Sequence, residues 1–169
     1  MSATLMVQIE KIYPDVVIPS YKHEGDSGMD IRAYFSEEFK EKAKQGNGYY
    51  NENKNILFIQ PNTRYLIPTG IKVGITDSNY EIQVRPRSGL ALKAGLTVLN
   101  TPGTIDAGYR GEIGVILYNS NSSQQCGVSH GDRIAQLVLT PILKAEWHIV
   151  DSVDETKRGD GGFGSTGVA

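Results

Sequence analysis

Hydrophobic and polar positions alternate over several short stretches of this chain. Leu5, Val7 and Ile9 are spaced by two, as are Ile71, Val73 and Ile75, while Ile82 and Val84 stand between Glu81, Gln83 and Arg85. A period of two sends successive side chains to opposite faces, the mark of half-buried strands. Residues 56–59, 64–67, 113–118 and 134–142 add short apolar runs, punctuated by Pro61, Pro68, Gly70, Gly74, Pro86 and Pro141. Many short strands separated by Pro and Gly turns predict an all-β domain, a sandwich or a barrel.

One segment breaks the pattern. Residues 36–46 start with Ser36, place Glu37 and Glu38 first and Lys42 and Lys44 late, and close on Gly46. A capping hydroxyl, acids at the positive end and bases at the negative end of the helix dipole predict a short helix. The polar, turn-rich residues 47–55 follow, so the stretch from about 36 to 55 reads as an excursion from the β framework. The C-terminal end differs again. Residues 158–167 hold five glycines and one aromatic ring, too little apolar surface to fold alone, and predict an arm that orders on binding.

Composition narrows the class. A chain of 169 residues is long enough for one well-packed domain, and we expect a β domain over 1–152 and an arm over 153–169. With 17 Lys+Arg against 19 Asp+Glu, the net charge of −2 excludes the broad basic footprint needed for non-specific nucleic-acid or anionic-membrane binding. Any phosphate must be held locally. Cys126 is the only cysteine, which rules out an intrachain disulfide, and three histidines in unrelated contexts make no zinc cluster. The first residues lack a basic region followed by a long apolar one, and no apolar stretch reaches membrane-spanning length. These features predict a soluble protein of a reducing compartment, the cytoplasm.

Five stretches carry chemistry. Residues 103–112, Gly-Thr-Ile-Asp-Ala-Gly-Tyr-Arg-Gly-Glu, compress an acid, a ring and three glycines between two strand-like runs, 96–102 and 113–118. They read as a hairpin built around a site, although an acid on such a turn also bonds its own amides and Tyr109 could cap the core edge. Asp26-Ser27-Gly28-Met29-Asp30 puts an acid at the mouth of a strand, again a turn acid or a site. In residues 85–93 an arginine fork, the Ser88 hydroxyl and the Gly89 amide meet where a strand ends and a turn or short helix begins. That combination suits an anion, and equally an exposed arginine beside a capping serine. Gln136, in residues 131–138, is either a solvent-facing strand residue or a donor to a phosphoryl oxygen. The arm offers Arg158, Phe163, Ser165 and Thr166 on a glycine backbone, and it lacks the Gly-Lys-Ser/Thr ending of a phosphate loop.

Taken together, Ser27-Gly28-Met29-Asp30-Ile31, Pro86-Arg87-Ser88-Gly89-Leu90-Ala91, residues 103–111, residues 131–137 and residues 158–167 resemble, in order, the five motifs of the trimeric dUTP diphosphatase (dUTPase) family. The likeness spans nearly the whole chain. It departs at Ser27, where the family usually has alanine, at the variable pair Ala107-Gly108, and in the long connection over 36–55. The resemblance implies a jelly-roll β fold, a homotrimer with sites at subunit boundaries, and a C-terminal arm closing over a neighbour's site. It implies conversion of dUTP and water to dUMP and pyrophosphate, which limits uracil in DNA and supplies dUMP for thymidylate synthesis.

In that reading Asp106 aligns and deprotonates the water, a task for one positioned carboxylate. Tyr109 lies against the deoxyribose and leaves no room for a 2′-hydroxyl. Uracil meets main-chain groups at Gly103 and Ile105, with Asn100 assisting. Ser88, Gly89 and Gln136 hold the inner phosphates, and Arg87, Arg158, Gly164, Ser165 and Thr166 the outer ones, while Phe163 covers the base. Mg2+ suits a triphosphate, with Asp30 as its candidate protein contact through water. Two alternatives stay open: a dCTP deaminase of the same fold, and a non-catalytic, nucleotide-switched trimer that binds a protein partner through 36–55.

Overall fold

The structure, a computed structural model, describes residues 4–45 and 49–162. Its elements in chain order are β1 (Val7–Lys11), β2 (Met29–Arg32), α1 (Glu37–Gln45), β3 (Tyr49–Asn51), β4 (Ile56–Ile59), β5 (Arg64–Ile75), β6 (Tyr80–Arg85), α2 (Ser88–Ala94), β7 (Leu96–Val98), β8 (Gly103–Ile105), β9 (Glu112–Asn119), β10 (Cys126–Ser129) and β11 (Arg133–Pro141). The strands form two four-stranded sheets, ordered β1-β5-β9-β7 and β2-β11-β6-β8, and a three-stranded sheet ordered β10-β4-β3. Every pairing among them is antiparallel. This is the expected all-β jelly-roll sandwich.

Period-two patterning builds the core. In β9 the inward set Ile113, Val115, Leu117 and Asn119 is buried, and the residues between are half-buried. Ile82 and Val84 of β6 and Ile71, Val73 and Ile75 of β5 enter the same core, as their spacing predicts. Buried Asn119 is satisfied: its amide donates to the Ile59 carbonyl at 2.9 Å and the Gln124 carbonyl at 2.8 Å, tying β9 to β4. β1 departs from expectation, because it is a sheet edge and leaves Ile9 exposed.

The helix forms where its signals place it. Ser36 Oγ accepts the Phe39 amide at 3.1 Å, and Glu37–Lys40, Glu38–Lys42 and Glu41–Lys44 pairs line its outer face. Such exposed pairs contribute only tenths of a kcal/mol each. The stretch around it is less of an excursion than its polar composition suggests. Ala43 and Tyr50 are buried with Phe35 in the core, and β3 pairs with β4 in register Tyr50↔Leu57. Ala43, the Tyr50 ring and Phe39, which packs against Phe35, dock the stretch on the core.

Residues 142–162 contain no helix or strand. The last regular element ends at Pro141, and the Ile142 amide donates to the Asn79 carbonyl at 2.8 Å.

Candidate active site

The first cluster sits where β2, β6 and β11 come together. Gln136 of β11 lies in register between Asp30 of β2 and Arg85 of β6. One turn past Arg85, Arg87 caps the start of α2 with its backbone extended, so its guanidinium is free to reach across the sheet. Arg87 Nε donates to Asp30 Oδ1 at 2.8 Å and Arg133 Nη1 to Asp30 Oδ2 at 3.0 Å. Arg87 Nη1 also reaches the Arg133 carbonyl at 3.3 Å. Partial burial pushes the Asp30 carboxyl up, but hydrogen bonding and charge from Arg87, then Arg133, outweigh it and hold the group below its ordinary value of 3.8. One carboxylate thus orients two guanidiniums and leaves a net positive charge.

A cavity of about 500 Å³ opens beside them, bounded by Lys22, Ser27, Gly28, Asp30, Arg133 and Gln136 among others. Gly28 matters here for space. A Cβ at this position would lie 3.3 Å from Gln136 Cδ and Oε1, so a side chain there would press on the carboxamide. Ser88 and Gly89 begin α2 with their surfaces exposed.

The second cluster is the stretch between β7 and β9. These two strands pair, Val98 opposite Leu117, as the flanking apolar runs predict. The loop between them is no tight turn, because β8 leaves to pair with β6 in the other sheet, Gly103 opposite Val84 and Ile105 opposite Ile82. Gly103 is buried, and a Cβ there would lie 3.2 Å from Asn100 Nδ2 and 3.3 Å from Val84 Cβ, which places the Asn100 side chain over the Gly103 backbone. Asp106 follows β8 and is exposed. Its carbonyl accepts the Tyr109 amide at 3.0 Å, and among the described residues its carboxylate accepts no hydrogen bond. The carboxylate is left free for a ligand or water.

Tyr109 is partly exposed, and its hydroxyl donates to the Glu112 carbonyl at 2.9 Å. Arg110, within the same motif, staples the turn, donating from Nη1 to the Ala107 carbonyl at 2.6 Å and the Tyr109 carbonyl at 2.7 Å. Sequence reasoning passed over Arg133. Its place directly after Gly131-Asp132, at the start of a strand that carries Gln136, was the available signal. Arg158 is exposed, with Nε donating to the Gly161 carbonyl at 2.9 Å, and among the described residues it makes no hydrogen bond to either cluster. Phe163, Gly164, Ser165 and Thr166 lie outside the described residues.

Among the described residues no group of three or more His, Cys, Asp or Glu side chains is placed to hold a metal ion. Both Asp30 oxygens face guanidiniums, a poor arrangement for direct ligation. With its oxygens so paired, Asp30 fits contact with a divalent ion through water and not direct ligation.

Fold and clusters define an antiparallel β-sandwich protein with two arginines sharing one carboxylate at one edge of a sheet and, at the other, Asp106 beside Tyr109. A family model described as dUTPase matches residues 48–167. A deoxyuridine 5′-triphosphate nucleotidohydrolase of Desulfotalea psychrophila is 49% identical over 151 residues, 89% of this chain and 87% of that protein. The protein of the same name from Picosynechococcus sp. is 45% identical over 162 residues, 96% of this chain and 99% of its own. The chain belongs to the dUTPase family. Solved structures share its fold: the Staphylococcus bacteriophage 80alpha dUTPase with dUPNHPP matches with a TM-score of 0.75 at 24% identity, over 98% of this chain and 100% of that one. A phage phi11 dUTPase structure, described as revealing the coordination of a structural Mg(II) ion, matches with a TM-score of 0.69 at 21% identity, over 89% of this chain and 99% of that one.

Proposed function

We propose that this chain hydrolyses dUTP to dUMP and pyrophosphate by attack of water at the α-phosphorus, and so limits uracil incorporation into DNA. The observation that carries the reading is the free Asp106 carboxylate on a stapled loop beside Tyr109, in a chain of this family. Asp106 aligns the water and takes its proton. Tyr109 fills the space a 2′-hydroxyl would need, and the backbone at Gly103 and Ile105, with Asn100, reads uracil. Ser88, Gly89 and Gln136 receive the inner phosphates, and Arg87 the outer ones. Phosphoryl transfer asks mainly for positioning and charge stabilisation, which is what this chain supplies. Bound magnesium would neutralise phosphate charge. Asp30 serves chiefly to hold Arg87 and Arg133, and would meet a bound ion only through water.

The site is completed by a second copy of the chain, in a homotrimer. Two features support this. Along the sheet, Gln136 and the residue before Asp106 are separated by two strand spacings and three residues of β6, a diagonal of about 14 Å between backbones. That spacing spreads the two side chains across the sheet, in keeping with a neighbour's carboxylate meeting the phosphates held at Gln136. Residues 142–153 also run without regular structure, with Leu143, Trp147 and Ile149 almost fully exposed, apolar surface that another subunit would cover. We assign 153–169 as the arm that closes over a neighbour's site, with Phe163 over the base and Arg158, Gly164, Ser165 and Thr166 at the phosphates. Cys126 is a free, buried thiol, in keeping with the reducing cytoplasm where we place the enzyme.

The test is pyrophosphate release from dUTP, dCTP, dTTP and UTP with and without magnesium. Turnover confined to dUTP supports the reading. Ammonia from dCTP would make the chain a deaminase, an alternative that its nucleotidohydrolase relatives do not favour. Tight dUTP binding with no turnover would leave a binding module. Truncation before Arg158 should leave a folded trimer with turnover reduced at least about a hundred-fold; full activity of that truncation would remove the lid role.

A further inference from the structure

Under the dUTP reading, rejection of a ribose depends on how firmly Tyr109 keeps its place, and the structure records what holds it. The ring folds back over Gly111, where even a Cβ would lie 2.6 Å from Tyr109 Cζ. Its hydroxyl is tied to the main-chain oxygen of Glu112 at 2.9 Å. Glu112 is itself fixed from the core side. Its Oε1 accepts the Gly70 amide at 2.6 Å and the Thr69 amide at 3.1 Å, and buried Thr69 Oγ1 donates to the Ile113 carbonyl at 2.6 Å.

Those two amides need such a partner. The β5–β9 register shifts between Pro68 and Lys72, so Thr69 and Gly70 sit in a bulge, outside the regular ladder. Gly70 has φ +70° and is wedged under Val16 and Tyr34, where a Cβ would lie 2.6 Å from Val16 Cγ2, so this backbone has little freedom to move. Lys72, the strand neighbour of Glu112, gives its ammonium to Glu10 at 2.9 Å and does not compete.

We propose that Glu112 is a positioning residue for sugar discrimination: its carboxylate locks the start of β9 to the Thr69–Gly70 bulge, so that its carbonyl holds the Tyr109 ring against a 2′-hydroxyl. Without the lock, the bulge amides lose their acceptor, the carbonyl of residue 112 can shift, and the ring yields the fraction of an ångström that a ribose needs. The inference rests on the dUTP reading of the site.

The experiment compares the full-length wild type with E112A, E112Q, Y109F and the E112A/Y109F double variant. It measures kcat/KM for dUTP and UTP, equilibrium affinity for dUDP and UDP, and Tm. E112A and Y109F should each lower the deoxy-over-ribo ratio about five-fold, the scale of one hydrogen bond. The double variant should fall no further than the worse single one, because both break the same connection. E112Q keeps an acceptor oxygen and should stay within about two-fold of wild type. A merely structural role predicts a lower Tm with an unmoved ratio in E112A, which overturns the proposal. Additive losses, or an unmoved ratio in Y109F, overturn it as well, and Y109F and E112Q decide the matter if E112A does not fold. A wild type with no preference for deoxy nucleotides in either assay refutes the dUTP reading and this inference together. A preference that the variants do not move refutes the inference alone.

Discussion

The loop over 103–112 and the cluster around Asp30 are both ordered, but by different forces. The loop is held by main-chain hydrogen bonds, by the Arg110 staple and by steric contact of Tyr109 with Gly111. The cluster is held by one carboxylate whose two oxygens both meet the Arg87 fork while Oδ2 also accepts from Arg133. Short-range, directional contacts are insensitive to salt and fix a geometry to a fraction of an ångström. Ion pairs of partly exposed groups are screened and tolerate displacement. The difference matches the tasks proposed for them: a water and a sugar to be placed by the loop, several phosphate oxygens to be neutralised by the cluster.

The largest break in this comparison should come from Asp106→Asn, which keeps the loop's main-chain bonds and removes the proposed base. Steady-state and binding assays should show turnover reduced about a thousand-fold and dUTP affinity within a few-fold of wild type. Comparable losses in both would mean that Asp106 holds the substrate rather than the water.

Next comes Arg87→Ala, which removes a proposed phosphate donor and leaves Asp30 half-neutralised beside the cavity. We expect kcat/KM to fall about thirty-fold, mostly in KM, with a shallower dependence on salt than wild type. Arg87→Lys should restore only part of this, since a single ammonium cannot reproduce the fork that meets Asp30. Full rescue by lysine would show that charge alone, without the fork, is enough.

The smallest effect concerns acid stability. The Asp30 carboxyl is held below its ordinary value of 3.8 in the folded chain, so it binds protons less readily than when unfolded. Its contribution is therefore complete above about pH 4, and is lost as pH falls through the lowered folded value. Melting curves between pH 2 and about 5 should show wild type losing Tm on acidification more steeply than Asp30→Asn. Parallel curves would mean that the two arginines do not depend on the ionised carboxylate.

Much of this arrangement was legible beforehand, for local reasons. The alternation at 71–75 and 81–85 placed β5 and β6, and Ser36 with its acids and lysines placed α1, because period and capping act within a few residues. Both clusters were visible as compact, glycine-rich motifs. What stayed hidden was every feature that depends on distant partners. Ile9 alternates correctly yet stays exposed, because β1 is an edge strand. The polar stretch around α1 joins the core through Ala43 and Tyr50. Asp30 gives both oxygens to arginines that no local motif ties to it.

By itself, then, the amino-acid order determined the strand-rich class, the one helix announced by its cap and charges, and the identity of the motifs, since each is written in neighbouring residues. Only tertiary structure decided that Arg87 and Arg133, 57 and 103 residues from Asp30, would share its carboxylate. It also decided that Glu112 would close a bulge 42 residues earlier in the chain. Long-range pairing depends on sheet order and register, which many local patterns are compatible with and only the packed core selects.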